Sequence, residues 1–333
     1  MDAQDPPEEG AFLQRLLPFF GALMASLTLV EAAKVQQNPL IQGVIESIVT
    51  VNQMYGVLPF DQIVGNALLY TRENAMGGVA PVGIGGGSNV IPEAAKTPAT
   101  FTPVTTPLKA LIGDAMVDHF IDTTSSNNND QRGIQVASKA KGLGREYQRQ
   151  LILGDSAGDP LEFDGLQKLT PTAQIIDASS GALTFDMLDA LIAMIKAKDG
   201  QVDFLMMPIE GINKYFALLR GLGGAGIGEV VNLPGGGSVP GYRQIPIFRN
   251  DFIPMSAPGA TRTGDVYAGT FDDGSRKVGI AGLTSQVQSG IFVSYVGEAE
   301  QTNDTITRLR FYSSMAVFSE LGIARLKDAK FVG

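Results

Sequence analysis

The chain of 333 residues is 44% hydrophobic but only 18% charged, against roughly 25% charged residues in an average soluble domain. This composition excludes a disordered chain and predicts a surface much of which meets other protein. The formal net charge of −9 argues against a basic face that wraps nucleic acid, and the absence of cysteine excludes disulfides, thiolate metal sites and cysteine nucleophiles.

The first apolar stretch, Ala11–Val30, is predicted to be an amphipathic helix within an N-terminal arm of residues 1–60. Acidic residues such as Asp5 precede it, unlike the positive start of a signal peptide, and Arg15 interrupts it, which makes it too short for a membrane span. Its polar face lacks the Lys and Arg of a membrane-surface helix, so we expect it to pack on protein. Its apolar face comprises Phe12, Leu13, Leu16, Leu17, Phe20, Leu23, Met24, Leu27 and Val30.

The segment from Asp61 to Ile112 is predicted to form a projecting two-stranded arm. A glycine-dense stretch separates its two halves, and three prolines between Thr97 and Pro107 exclude a central strand because proline lacks an N–H donor. An isolated hairpin is marginally stable in water, so we expect this arm either to be ordered by a neighbouring subunit or to be flexible.

A long helix is predicted over Gln131–Leu153, after a short amphipathic element at Gly113–Thr124. At 1.5 Å per residue the helix is about 34 Å long. Lys141, Arg145 and Arg149 form one row at four-residue spacing, which is either a nucleic-acid-facing surface or a solvated face with ion-pair partners.

From residue 171 onward, helices, short strands and a glycine-rich loop alternate. Thr184 is a plausible N-cap for the first helix of this region. The two last long strands predict an elongated subunit. The predicted helices are Leu183–Lys198 and Ile209–Arg220, the predicted strands are Asp203–Met207, Arg243–Ile253, Gly264–Phe271, Gln286–Gly297 and Thr305–Phe318, and the loop is Gly221–Gly241.

The sharpest catalytic pattern is Gly154–Gly158, which reads GDSAG and matches the nucleophile elbow of serine esterases. A serine nucleophile needs a base, and in that fold the histidine follows the serine in the chain. The only histidine, His119, precedes Ser156. An esterase therefore stays an alternative to a plain turn that ends the preceding helix.

Other chemical motifs point to no cofactor and no metal. Gly221–Gly226 fits the dinucleotide-binding glycine pattern, but a helix precedes it and no helix follows, so the phosphate site is missing. An acidic cluster lacks the spacing of a calcium loop, and a solvated acidic loop is the favoured interpretation. The cluster comprises Asp155, Asp159, Glu162 and Asp164.

The order of these elements resembles that of the major capsid protein of tailed bacteriophages, whose fold encapsulin shells share. The resemblance covers about residues 60 to 330 and rests on loose local patterns in a common order. The stretches that carry it are Leu151–Leu166 (LILGDSAGDPLEFDGL), Phe204–Arg220 (FLMMPIEGINKYFALLR), Gly241–Met255 (GYRQIPIFRNDFIPM), Gly264–Phe271 and Arg308–Leu326.

The resemblance implies an α+β fold made of an N-terminal arm, an extended loop, a peripheral domain and an axial domain. The implied bounds are 1–60 for the arm, 61–112 for the extended loop, 113–170 and 286–318 for the spine helix and long β-hairpin of the peripheral domain, 171–285 for the axial domain and 319–333 for a last strand returning to it. Implied subunit-interface residues in the extended loop are Arg72, Glu73, Glu93, Lys96 and Phe101. Implied capsomer-centre residues are Gly223, Gly224, Gly226, Gly235 and Gly236.

The implied function is architectural. Copies would assemble as hexamers and pentamers into an icosahedral shell that encloses double-stranded DNA, formed in the host cytoplasm and found in the virion. A separate scaffolding protein, a portal and a decoration protein are the implied partners, without a membrane, and the basic row would face inward. Some family members cross-link an extended-loop lysine to a neighbour's asparagine; Lys96 lies in that region but no partner matches, so a non-covalent shell is expected. An encapsulin-type compartment shell is the alternative.

Overall fold

The computed structural model describes residues 54, 57–84, 90–125, 130–197, 200–221, 229–233, 237–256, 262–287 and 290–331. Its helices are α1 His119–Ser125, α2 Gln131–Leu153, α3 Leu166–Leu169, α4 Phe185–Lys196 and α5 Ile209–Gly221. Its strands are β1 Phe60–Ile63, β2 Ala67–Ala75, β3 Thr100–Pro107, β4 Lys109–Asp118, β5 Ile175–Asp177, β6 Phe204–Met207, β7 Glu229–Asn232, β8 Ser238–Tyr242, β9 Ile245–Arg249, β10 Thr263–Gly269, β11 Ile280–Ser285, β12 Phe292–Glu298, β13 Asp304–Val317 and β14 Ile323–Lys330.

A seven-stranded mixed sheet, in the order β5-β14-β10-β6-β9-β8-β7, forms the best-packed part of the chain. The central strand β6 pairs antiparallel with β10 and parallel with β9. All four residues of β6 are buried, and both sheet faces are covered. Strands buried on both faces read as continuous apolar runs, which is why the sequence Phe-Leu-Met-Met shows no alternation.

Separate groups of side chains cover the two faces of β6. Leu205 and Met207 belong to one apolar cluster, with the buried face of α4. Phe204 and Met206 belong to another, with residues of α2 such as Tyr147. The side chain of Thr184 accepts a hydrogen bond from the Met187 N–H, which confirms the predicted N-cap of α4.

The chain divides into two compact units. The larger unit holds the seven-stranded sheet, and there β1 pairs parallel with β11, which pairs antiparallel with the second half of β13. Among the described residues, the smaller unit contains Gly113–Lys139 and Val293–Leu309. Within it, the Arg308 guanidinium binds both carboxylate oxygens of Asp114 at 2.8 Å.

Several predicted elements differ from the observed ones. The predicted loop Gly221–Gly241 contains strand β7 and most of β8, which pair with each other because Val231 and Val239, opposite in register, pack in one apolar cluster. The arm predicted over Asp61–Ile112 is shorter, since β1 and β4 pair with other strands of the body. The strand predicted to begin at Gln286 begins at Phe292, and β11 was not predicted. Helix α2 has the predicted bounds.

Candidate assembly surfaces

The arm is an antiparallel hairpin of β2 and β3 that forms a two-stranded sheet by itself. Ala67 pairs with Pro107 at its root, and the pairing continues to Ala75 opposite Thr100, with a register shift after Glu73. Each strand has one edge without a partner strand among the described residues. The hairpin therefore depends on side-chain contacts for its position.

One side of the hairpin root packs on other parts of the larger unit, to which the hairpin belongs. Leu68 and Tyr70 contact a cluster that includes the buried Leu283 and Phe318. The Tyr70 and Phe318 rings meet edge to face with centroids 5.3 Å apart, and the Tyr70 hydroxyl donates to the Val317 carbonyl at 2.8 Å. These contacts hold the arm at the end of β13.

Arg72 completes this attachment. Its guanidinium pairs with the Glu320 carboxylate, donates to the Val317 carbonyl and lies 5.6 Å from the centre of the Tyr70 ring. Only 14% of the Arg72 side chain is exposed, against 48% for Glu320. Arg72 thus binds its own chain at the arm root, and its predicted place at a subunit interface stays a prediction.

The opposite side of the hairpin and its tip are rich in exposed apolar side chains. Leu69 on β2 is 69% exposed and Phe101 on β3 is 61% exposed. Exposed apolar patches of this kind are typical of surfaces that bind protein, ligand or membrane. The exposed apolar residues of the tip are Met76, Val79, Val82, Ile84, Val90 and Ile91.

The remaining predicted arm residues lie outside the root. Glu73 is paired in register with Phe101 and is exposed. Glu93 and Lys96 occupy a short 3₁₀ helix, where their charged groups pair at 2.5 Å. Whether they contact another subunit stays a prediction. The predicted capsomer-centre glycines, Gly223, Gly224, Gly226, Gly235 and Gly236, lie outside the described residues.

The basic row on α2 is not uniform. Arg149 pairs with Glu146 at 2.6 Å and with Glu162, and its hydrogen bonds lower the pKa of Glu146. The Arg145 guanidinium lies 5.5 Å from the centre of the Phe252 ring. Lys141 is partly exposed. Two carboxylates therefore neutralise Arg149, and the inward-facing role of the row stays a prediction.

The GDSAG motif forms a tight turn after α2. Gly154 follows the helix directly, whereas a nucleophile elbow follows a strand. The Gly154 N–H donates to the Gln150 carbonyl at 2.9 Å, and a Cβ at Gly154 would lie 2.1 Å from the Phe163 carbonyl oxygen. The close backbone approach explains this glycine without catalysis.

The amine beside Ser156 is not available as a base. Lys168 Nζ lies 3.3 Å from Ser156 Oγ, but it also contacts Asp155 at 2.5 Å and Asp164 at 2.9 Å. Its hydrogen bonds to these two carboxylates raise the pKa of Lys168, which keeps the amine protonated. A protonated amine cannot accept the serine proton. His119 is exposed at the start of α1.

The acidic residues around this turn have other partners. Asp155 and Asp159 accept backbone hydrogen bonds two residues ahead, from Ala157 at 3.0 Å and Leu161 at 2.9 Å. Glu162 and Asp164 pair with cations. Within the described part of the chain, no group of three metal-binding side chains occurs, and no helix has the length and apolarity to cross a membrane.

The seven-stranded sheet, the long helix α2, the projecting hairpin and the β12–β13 hairpin together define the fold of tailed-phage capsid subunits, which encapsulin shells share. No family model and no curated protein sequence matches the chain. The evidence for the fold comes from similarity to solved structures.

Three solved structures illustrate the similarity. The holo-SrpI encapsulin complex from Synechococcus elongatus PCC 7942 matches with a TM-score of 0.68 and 17% identity, over 92% of this chain and 98% of that chain. The cyanophage A-1(L) capsid matches with a TM-score of 0.62 and 14% identity, over 91% of this chain and 99% of that chain. The capsid of the native GTA particle matches with a TM-score of 0.59 and 12% identity, over 93% of this chain and 96% of that chain. The predicted fold is confirmed.

Proposed function

We propose that this protein is the structural subunit of a tailed-phage capsid, assembling as hexamers and pentamers into an icosahedral shell around double-stranded DNA. The observation that carries the proposal is the arm, which exposes apolar residues on one side while its root is fixed to the body of a shell-type fold. Covering this side by a neighbouring copy removes the apolar surface from water.

The charge distribution supports enclosure of DNA without tight binding. The chain carries 34 acidic and 25 basic residues. Arg149 of the α2 row is paired with two carboxylates. Nonspecific DNA affinity grows with the number of phosphates that Lys and Arg neutralise. A chain of this charge holds DNA by closing around it. A scaffolding protein, a portal and a decoration protein complete the proposal, with the capsid in the virion.

A matched pair of variants tests the assembly role. Leu69→Asp places a charge on the outer side of the arm, and Leu161→Asp places one at a similarly exposed leucine of the turn after α2, since these side chains are 69% and 77% exposed. We expect Leu69→Asp to abolish closed shells in negative-stain microscopy and sedimentation, while Leu161→Asp assembles normally. Shells of normal size and yield from Leu69→Asp would contradict the proposal.

An encapsulin-type compartment is a second candidate, favoured by the TM-score of 0.68 to an encapsulin subunit against 0.62 and 0.59 to the two capsids. The contents of shells purified from the native source distinguish the two. Nuclease-resistant DNA of uniform length supports the capsid. A stoichiometric enzyme without DNA supports the compartment and would overturn the DNA proposal while leaving the shell proposal intact.

A further inference from the structure

Met76 lies at the tip of the arm, directly after β2, and is 83% exposed. The other methionines that the structure describes are buried or half-buried. Met76 is therefore the methionine that a reagent in the solvent reaches most easily in the described part of the chain. The protected methionines are Met54, Met116, Met187, Met194, Met206, Met207, Met255 and Met315.

The backbone that follows Met76 is held by close contacts. The Gly78 N–H donates to the Thr97 carbonyl at 2.8 Å. A side chain at Gly78 has no room, because the Ala94 carbonyl oxygen occupies the place of its Cβ. The segment after β2 thus packs on the segment before β3, and Met76 is presented to solvent at a defined position of the arm.

The composition of the chain directs oxidation to methionine. Peroxides oxidise the sulfur atoms of cysteine and methionine, and this chain has no cysteine. Oxidation converts the flexible, apolar thioether into a polar sulfoxide, which disrupts apolar contacts that contain methionine. At Met76 the sulfoxide places a polar group among the exposed apolar residues of the tip.

We propose that Met76 is a site of oxidation by peroxides and that its sulfoxide prevents assembly of the free subunit. With hydrogen peroxide, the lone pair of Met76 Sδ attacks one oxygen, the S–O bond forms as the O–O bond breaks, and the other oxygen leaves as water. The sulfur loses the two electrons that the peroxide gains. Burying the sulfoxide oxygen in an apolar contact without a hydrogen-bond donor is unfavourable. The effect on assembly rests on the proposed shell function, whereas the oxidation site does not.

Peptide mapping of dispersed subunits tests the site. Trypsin releases residues 73–96, in which Met76 is the only methionine. We expect dilute hydrogen peroxide to oxidise Met76 roughly tenfold faster than the buried Met206 and Met207 of β6. Equal rates in the two peptides of the folded subunit would overturn the proposed site.

Met76→Leu is the matched variant for the effect on assembly, because leucine keeps a similar apolar volume and peroxide does not oxidise it. We expect the untreated parent chain and Met76→Leu to form closed shells alike in negative-stain microscopy and sedimentation. After peroxide treatment the parent should lose its shells, while Met76→Leu keeps them. Met76→Gln, which is polar without oxidation, should lose them untreated.

Normal shells from the oxidised parent, or an equal loss in oxidised Met76→Leu, would overturn the effect on assembly and leave the shell function intact. An untreated parent chain that stays dispersed would instead contradict the shell function, and the effect on assembly with it. Peptide mapping would still decide the oxidation site in that case, since it uses dispersed subunits.

Discussion

The seven-stranded sheet and the arm use apolar residues in opposite ways. Phe204 in the sheet is fully buried and stacks on Phe271 with centroids 4.7 Å apart, whereas Phe101 in the arm is 61% exposed. The two phenylalanines offer the same apolar area, but only that of Phe204 is removed from water within the single chain. Burial of Phe204 therefore stabilises the fold of the single chain, whereas the apolar area of Phe101 is left for a contact with another surface.

The comparison distinguishes residues that stabilise the fold of one chain from residues whose apolar area stays exposed in one chain. The sheet obtains its stability within one chain, because side chains of β6 are covered from both faces. Among the described residues, the hairpin is held at its root, through Leu68, Tyr70 and Arg72. Variants in the two regions should therefore differ in which measurement they change.

The largest expected effect is that of Phe204→Ala. Truncating a fully buried phenylalanine leaves a cavity and costs about 3–5 kcal/mol of unfolding free energy. Phe101→Ala, the matched arm variant, should change the unfolding free energy by less than about 0.5 kcal/mol. Urea unfolding of dispersed subunits measures both. Equal losses in the two variants would mean that the arm has a core contact that the structure does not show.

A smaller effect is expected at the arm root. Arg72→Met removes the hydrogen bond to the Val317 carbonyl and the pair with Glu320, which together contribute about 1–2 kcal/mol of local stability. Amide hydrogen exchange in β2 and β3 should accelerate roughly tenfold or more, with little change in the seven-stranded sheet.

Glu320→Gln is the control for the arm root. It keeps the Val317 hydrogen bond and removes only a half-exposed ion pair, which contributes about 0–1 kcal/mol. We expect a small increase in exchange at most. Slow exchange in Arg72→Met equal to that of the parent chain would show that Tyr70 alone holds the arm.

The smallest effect is a pH dependence at the turn after α2. The hydrogen bond from Arg149 lowers the pKa of Glu146 below 4.5 in the folded chain. A depressed folded pKa contributes stability that is complete above the unfolded pKa and is lost as pH falls through the folded one. We therefore expect the protection factors of the amides of residues 154–165, which correct for the intrinsic exchange rate at each pH, to fall below about pH 4.5. Glu146→Gln should weaken this acid dependence, and an unchanged profile would assign it to other carboxylates.

Local patterns predicted the helices well and the pairing of strands poorly. Helix α2 and the cap of α4 follow from residues within a few positions of one another. Strand β11 was missed because its run Ile-Ala-Gly-Leu-Thr-Ser carries small residues, including Gly282, where the Phe60 ring packs within 2.6 Å of a hypothetical Cβ. Glycine in a strand lowers its propensity but allows this approach.

The arm surface was predicted only in part. Phe101 and the projecting hairpin were expected, but the distinction between its two sides was not. The alternation of side chains along β2 distinguishes the two sides, because Leu68 and Tyr70 pack on the cluster with Phe318 and Leu69 points away from it. The sequence signal was present, but it does not say which of the two sides has a partner within the chain.

The sequence by itself determined helices α2, α4 and α5, the buried strand β6, the projecting hairpin and the absence of a histidine after Ser156. These properties depend on periodicity and composition over short distances. Only the tertiary structure decided that Arg72 anchors the arm and that Arg149 is neutralised by Glu162. Arg72 and Glu320 are 248 positions apart, and Arg149 and Glu162 are joined across a turn. Such contacts arise from chain folding and leave no local pattern.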